Sequence, residues 1–206
     1  MRPLSTICKA FLMLLLVAGT ASAVPILTVD NGSVALSDPT QMGRLSRNGI
    51  PQDWVGSEPF PGIINPTTQY HYATFTVNVG ITPFIQDSLD SASANTFVSA
   101  YLDSYNPLDP GATWLGDAGF SGNLFGTDPV FFQVLVPEGH NLLVVINNTL
   151  PGNGGVGDPF NLLVEGFIDS EYTDPPAAPP VPEPSTLLLS GGGLLLLAVG
   201  RFVRQA

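Results

Sequence analysis

Through the middle of this 206-residue chain, apolar side chains recur at every second position. In Tyr70–Val79, Ala73, Phe75, Val77 and Val79 fall on one face, and Tyr70, Tyr72, Thr74 and Thr76 on the other. That alternation is the mark of a half-buried strand. Thr96–Leu102 alternates in the same way, Val130–Val136 and Leu142–Asn147 are apolar enough for inner strands, and Asn161–Ile168 closes the set. Ile26–Val29 and Ser33–Leu36 predict a strand or hairpin near the start. Asn106–Gly111 and Val136–Gly139 carry turn chemistry, and Pro151–Pro159 reads as a flexible glycine-rich loop. Seven or eight short antiparallel strands in about 150 residues predict an all-β domain. The expected architecture is an antiparallel β-sandwich of jelly-roll or Greek-key type, with a closed barrel as the alternative.

Both ends break the alternation. Arg2 and Lys9 precede an apolar run, Ala10–Ala18, and Ala21-Ser22-Ala23 supplies a small-x-small cleavage signal. Residues 1–23 therefore read as a helical secretory signal peptide, handled by the Sec machinery and signal peptidase and cut after Ala23. The run is short against the ~20 residues that a membrane span needs. At the other end, five of the nine residues in Asp174–Pro182 are proline. Such a segment is stiff and extended, so residues 174–181 form a linker between a domain at 24–173 and a tail at 182–206. Thr186–Val203 is apolar or small almost throughout, and as a helix it would reach ~27 Å, enough for a bilayer core. Arg201 and Arg204 follow as a cytoplasmic membrane stop, in keeping with the positive-inside rule.

Charge and cysteine narrow the function classes. All 17 acids lie between Asp30 and Glu183, where the only basic residues are Arg44 and Arg47, a formal charge of −15. A surface this acidic repels nucleic acid and attracts cations or basic partners. The single cysteine, Cys8, leaves with the signal peptide. The exported part then holds neither a disulfide nor a cysteine-ligated metal, and its stability rests on an apolar core and backbone pairing.

Val181-Pro182-Glu183-Pro184-Ser185-Thr186, then the apolar segment, then the terminal arginines, all behind a signal peptide, resemble the PEP-CTERM sorting signal of Gram-negative bacteria. The resemblance covers residues 181–206, with Pro182, Glu183 and Pro184 as the sorting motif. It implies recognition by an exosortase, a membrane cysteine transpeptidase-like enzyme, and cleavage near the Pro-Glu-Pro. It also implies passage through the inner membrane and periplasm to the cell surface or extracellular matrix of a bacterium that makes extracellular polysaccharide. The role so implied is non-enzymatic, in exopolysaccharide, biofilm or floc formation. A second resemblance runs through Gly43–Pro51, Tyr70–Val77, Ala100–Leu102, Asn106-Pro107, Trp114–Gly119 and Phe132–Gly139. In outline these are similar to pre-peptidase C-terminal-type β-sandwich modules of secreted bacterial proteins, over Gly43–Ile168. That likeness implies a fold and an exported setting, without a catalytic set. Such modules often carry a cysteine pair, which this domain lacks.

Arg44 and Arg47 are expected to pair with nearby carboxylates and pin a loop, the alternative being that they grip an acidic sugar or a partner. Asp103, Asp109, Asp117 and Asp128 lie in one region between strands and are the candidate calcium ligands, since calcium takes several oxygens from loops. No stretch matches an EF-hand, and turn-forming aspartates explain the same pattern without a cofactor. His71 falls on the core side of its strand, and His140 follows a turn. Two histidines and no cysteine are a poor zinc set, and no G-x-S-x-G elbow appears. Trp54, Trp114, Tyr70, Tyr72, Tyr101 and Tyr105 either pack the sandwich or form a sugar-stacking platform. A carbohydrate- or calcium-binding module is thus the alternative to a matrix component, with a hydrolase behind it.

Overall fold

The structure is a computed structural model of the chain and describes residues 23–54, 56, 58–123 and 129–168. The signal segment with Ala21, the linker, Pro182, Glu183, Pro184, the tail with Arg201 and Arg204, and Asp128 lie outside the described residues. Among the described residues no helix is long and apolar enough to cross a membrane.

Nine strands run through these residues: β1 Val24–Gly32, β2 Thr40–Leu45, β3 Ile63–Asn78, β4 Phe84–Ser91, β5 Thr96–Leu102, β6 Trp114–Asp117, β7 Val130–Leu135, β8 Asn141–Asn148 and β9 Phe160–Phe167. All pair antiparallel, in two sheets ordered β1-β9-β4-β7 and β2-β3-β8-β5-β6. With β2 set aside, the other eight take the jelly-roll order, first-eighth-third-sixth against second-seventh-fourth-fifth. The fold is an all-β antiparallel sandwich.

Alternation explains how the layers close. Ile85 and Leu89 of β4, Phe132 and Val134 of β7, and Leu162 and Val164 of β9 point inward from the four-stranded sheet. Val77, Val98, Ala100, Val144 and Ile146 meet them from the five-stranded sheet. The strands at β3, β5, β7, β8 and β9 follow the predicted pattern. Three strands were hidden by composition. β2 (TQMGRL) is polar and broken at Gly43, where the register shifts and φ is +76°. β4 (FIQDSLDS) is rich in polar side chains, and β6 has only four residues. Ser33–Leu36, expected as strand, is instead irregular chain and turn after β1, with Val34 buried in the core. The glycine-rich loop after β8 is held from within. The buried Asn148 places its amide nitrogen 2.8–2.9 Å from the carbonyls of Leu150, Gly152 and Gly154, and its oxygen accepts the His71 N–H at 2.7 Å.

The described residues between β2 and β3 (46–54, 56 and 58–62) form a strap across the side where edge strands β6 and β7 approach. Gly49 N donates to Gly119 O and Gln52 N to Asp117 O, while Gln133 N donates to Gln52 O at 2.8 Å. The strap continues to Trp54, whose indole N–H lies 3.2 Å from Ile85 O and 3.1 Å from Val134 O. The Trp54 ring meets Phe84 and Phe167 edge-on, on the outer side of the four-stranded sheet. At the opposite edge, Val24 pairs with Gly166, and Phe84 with Phe167. The start of β1 and the end of β9 therefore share one end of the sandwich.

Gly119 sets how closely the strap can lie. Its φ is +68°, and a Cβ there would fall 2.5 Å from the Ile50 carbonyl carbon. Gly119→Ala should cost about 2–4 kcal/mol, read as a lower urea midpoint. A change within ~0.5 kcal/mol would mean that the strap is not seated on this backbone.

Asp87 interrupts the core. It shares the inward face with Ile85 and Leu89, lies between Phe132 and Val164 in register, and is fully buried. Neither of its oxygens has a hydrogen-bond partner. Burial pushes its carboxyl up to about 8, because the charged form has no solvent and no cation beside it. The native state thus holds this proton more tightly than the unfolded chain, where the value is ~3.9. Its contribution to stability is complete below ~4 and is lost as pH rises through about 8. Asp87→Asn should melt at least ~5 °C above the wild type near pH 8, with the two curves converging toward pH ~4. Parallel pH profiles for the two proteins would exclude ionisation of Asp87 as the cause.

Candidate functional site

The second apolar cluster lies on the outer face of the five-stranded sheet. Even-numbered positions of β3 and odd-numbered positions of β5 and β8 point there, so Tyr72, Tyr101, Leu143 and Val145 share that side. Trp114 of β6 stands opposite Tyr101 in register. Tyr105 folds back from the loop after β5 and meets Tyr72 edge-on at 5.2 Å and Tyr101 at 4.6 Å. Phe60, returning from the strap, meets Trp114 edge-on at 5.7 Å. Edge-on rings pack more favourably than face-to-face pairs, and the row combines apolar faces with polar tips.

Hydrogen bonds tie the row to β2. The Tyr105 hydroxyl donates to Gln41 Oε1, and Gln41 stands opposite Tyr70 in register. The Tyr70 hydroxyl accepts from Asn65 Nδ2 at 3.0 Å. Of the six aromatic residues singled out from the sequence, Tyr70, Tyr72, Tyr101, Tyr105 and Trp114 come to this face. Trp54 belongs to the other sheet. Gln41 and Phe60 join the row without any signal in the sequence, since neither sits in a recognisable motif.

At the β6 edge the row ends in a buried carboxyl. Asp117 Oδ1 accepts the Gly119 N–H at 2.8 Å. Asp117 Oδ2 and Trp114 Nε1 are both buried without a hydrogen bond of normal geometry. Burial raises the Asp117 carboxyl to about 6, against smaller lowering effects from the Gly119 N–H and the nearby indole. Burial, and then the neighbouring Tyr105, also raise the Tyr101 hydroxyl, so it stays protonated and can donate or accept at neutral pH.

The arginines depart from expectation. Among the described residues neither forms an ion pair with a carboxylate; the one ion pair there joins His140 Nδ1 and Asp103 Oδ2 at 2.6 Å. Arg44 is buried, donates through Nη1 to Leu45 O at 3.0 Å, and lies 5.9 Å above the Tyr70 ring. Its Nε has no partner. Arg47 donates through Nη1 to the buried Ser121 hydroxyl. Burial and then the charge of Arg44 lower the Arg47 guanidinium from its usual value. The expected carboxylate pairing fails because the local backbone leads both side chains onto the tyrosine face, where the available partners are a carbonyl, a ring and a hydroxyl.

The candidate calcium ligands are put to separate uses. Asp103, with φ +59°, accepts the Asn141 N–H at 2.8 Å and pairs with His140, which together hold its carboxyl below the usual range. Asp109 lies in a turn, where its backbone N–H donates to Asn106 O. Asp117 is on the aromatic face. Among the described residues no group of three or more His, Cys, Asp or Glu is placed to hold a metal ion. His71 is half-buried, with Nδ1 3.2 Å from Asp38 O.

Tyr105 is the contact on which the aromatic row depends. Tyr105→Ala removes two ring contacts and a hydrogen bond and should cost about 3 kcal/mol, whereas Tyr105→Phe should cost about 1 kcal/mol. Denaturant unfolding would separate the two, and equal costs would assign the whole effect to the hydroxyl.

No curated protein and no solved structure matches the chain. Residues 180–205 match the model of the PEP-CTERM protein-sorting motif, and the chain carries that motif at its C-terminal end.

Proposed function

We propose that the chain is a non-enzymatic surface or extracellular-matrix protein associated with exopolysaccharide in biofilm or floc formation. The sorting motif at residues 180–205 carries this reading, because it implies an exported chain that an exosortase processes and sorts to the cell surface. In this reading residues 1–23 are a signal peptide, 24–173 the displayed domain, 174–181 a linker and 182–206 the sorting tail, with a membrane helix at about 186–203. Sec machinery and signal peptidase act first, and the exosortase then acts near Pro182-Glu183-Pro184. The likeness of residues 43–168 to secreted pre-peptidase C-terminal-type modules belongs to the same reading and is supported by the sandwich architecture. A glycan-binding role for the displayed domain is the second reading, favoured by the row of Tyr72, Tyr105, Trp114 and Phe60 on one sheet face.

The test is the intact mass of the protein from cells with and without the exosortase. Loss of residues 1–23 is expected in both strains. Loss of the tail beyond the Pro-Glu-Pro is expected only with the enzyme. A tail retained in both strains would overturn the sorting step and leave a membrane-anchored domain.

A further inference from the structure

We infer that β7 is an edge strand held in place by a proton on Asp87. While Asp87 is neutral, β7 seals the apolar layer; when Asp87 ionises, Val130–Phe132 lifts from β4 and opens that edge of the four-stranded sheet.

The first support is the setting of the carboxyl. Asp87 has no exposed surface, and neither of its oxygens has a hydrogen-bond partner. The side chains beside it on the inward face are Phe132 from β7 and Val164 from β9. Across the layer stand Val77 of β3, Val98 of β5 and Val144 of β8. Among the described residues no titratable or charged side chain faces it from these strands, and burial alone raises its carboxyl, to about 8. An ionised Asp87 can therefore be relieved only by water, and water reaches it only when a strand moves.

The second support is topology, which decides the strand. β9 lies between β1 and β4, so parting it breaks a sheet from within. β7 is at the edge and has a ladder with β4 alone, in which Phe132 is the direct partner of Asp87. Lifting it there moves one fully buried ring, Phe132, while Phe131 is already 48% exposed. The second half of β7 is clamped: Gln133 N donates to Gln52 O, the Trp54 indole N–H reaches Val134 O, and just beyond the strand Val136 N donates to Pro83 O. The lift is thus confined to Val130–Phe132. Small openings of this kind at the ends of edge strands cost less than global unfolding. The open form presents unpaired N–H and C=O groups along β4, the kind of edge to which another strand can add.

Opening moves the carboxyl from about 8 to the ~3.9 of a wetted aspartate, so it releases a proton in the range between. The opening equilibrium should then rise about tenfold per pH unit from pH ~5 to pH ~7.

Hydrogen exchange of the full-length chain in detergent, read at single amides over that range, tests the lift. Gln133 N–H turns to the strap, so by alternation Phe132 N–H turns to β4 and reports on the seam. Its protection, corrected for the intrinsic rate, should lie at least about 100-fold below that of Val164 in β9 and fall about tenfold per pH unit. In Asp87→Asn the Phe132 amide should lose that slope. Equal protection at Phe132 and Val164 would mean that only global unfolding wets Asp87, and would overturn the local lift. Early exchange at Phe132 without a pH slope would remove Asp87 from the opening. A slope retained in Asp87→Asn would pass the effect to another acid, such as Asp117, whose carbonyl also holds Gln52, and would overturn the inference as well.

Discussion

One apolar layer, pressed between two sheets, carries the domain. The only cysteine lies at position 8, so from Val24 onward no covalent cross-link helps, and every strand must be held by its ladder and by the side chain it contributes to that layer. Phe132, Ile85, Leu89, Val144, Ile146 and Val164 are at or near complete burial. Setting Asp87 among them is therefore expensive, and the layer favours its neutral form. The same dependence explains the strap between β2 and β3. Edge strands β6 and β7 would otherwise leave the layer open on one side, and Gln52 bridges them by giving one backbone hydrogen bond and receiving another.

The strap has a second effect, on the outside of the five-stranded sheet. It leaves β2 with Arg44 and Arg47 at one end of the tyrosine face and returns with Phe60 at the other. The candidate site is thus framed by the segment that closes the core. Its side chains come from β2, β3, β5, β6 and two loops, widely separated in the chain. Each local stretch looks ordinary, and the site exists only in the assembled sheet.

That distribution accounts for what could and could not be read beforehand. Thr96–Leu102 is a strand with the same ends in sequence and structure, because its alternation is uninterrupted and turn residues flank it. β4 was invisible for the opposite reason: Asp87 and Ser91 occupy inward positions that should be apolar. The aromatic residues could be named from the sequence, but not sorted between sheets, since the strap carries Trp54 to the four-stranded sheet while Trp114 lies on β6 of the other. The arginines misled because proximity in sequence to many acids is not proximity in space. The residues on either side of them deliver both to a face built of rings.

The position of β9 has a mechanical meaning. β9 lies between β1 and β4 with register to both, and the chain runs on from its last residue toward the sorting motif. A pull on that continuation, directed along the strands, loads two antiparallel ladders in shear, so many hydrogen bonds must stretch together before any one yields. Had the chain left from an edge strand at right angles, the same force would peel the bonds singly. β9 is in this way the strand best placed to bear tension applied to the chain that follows it.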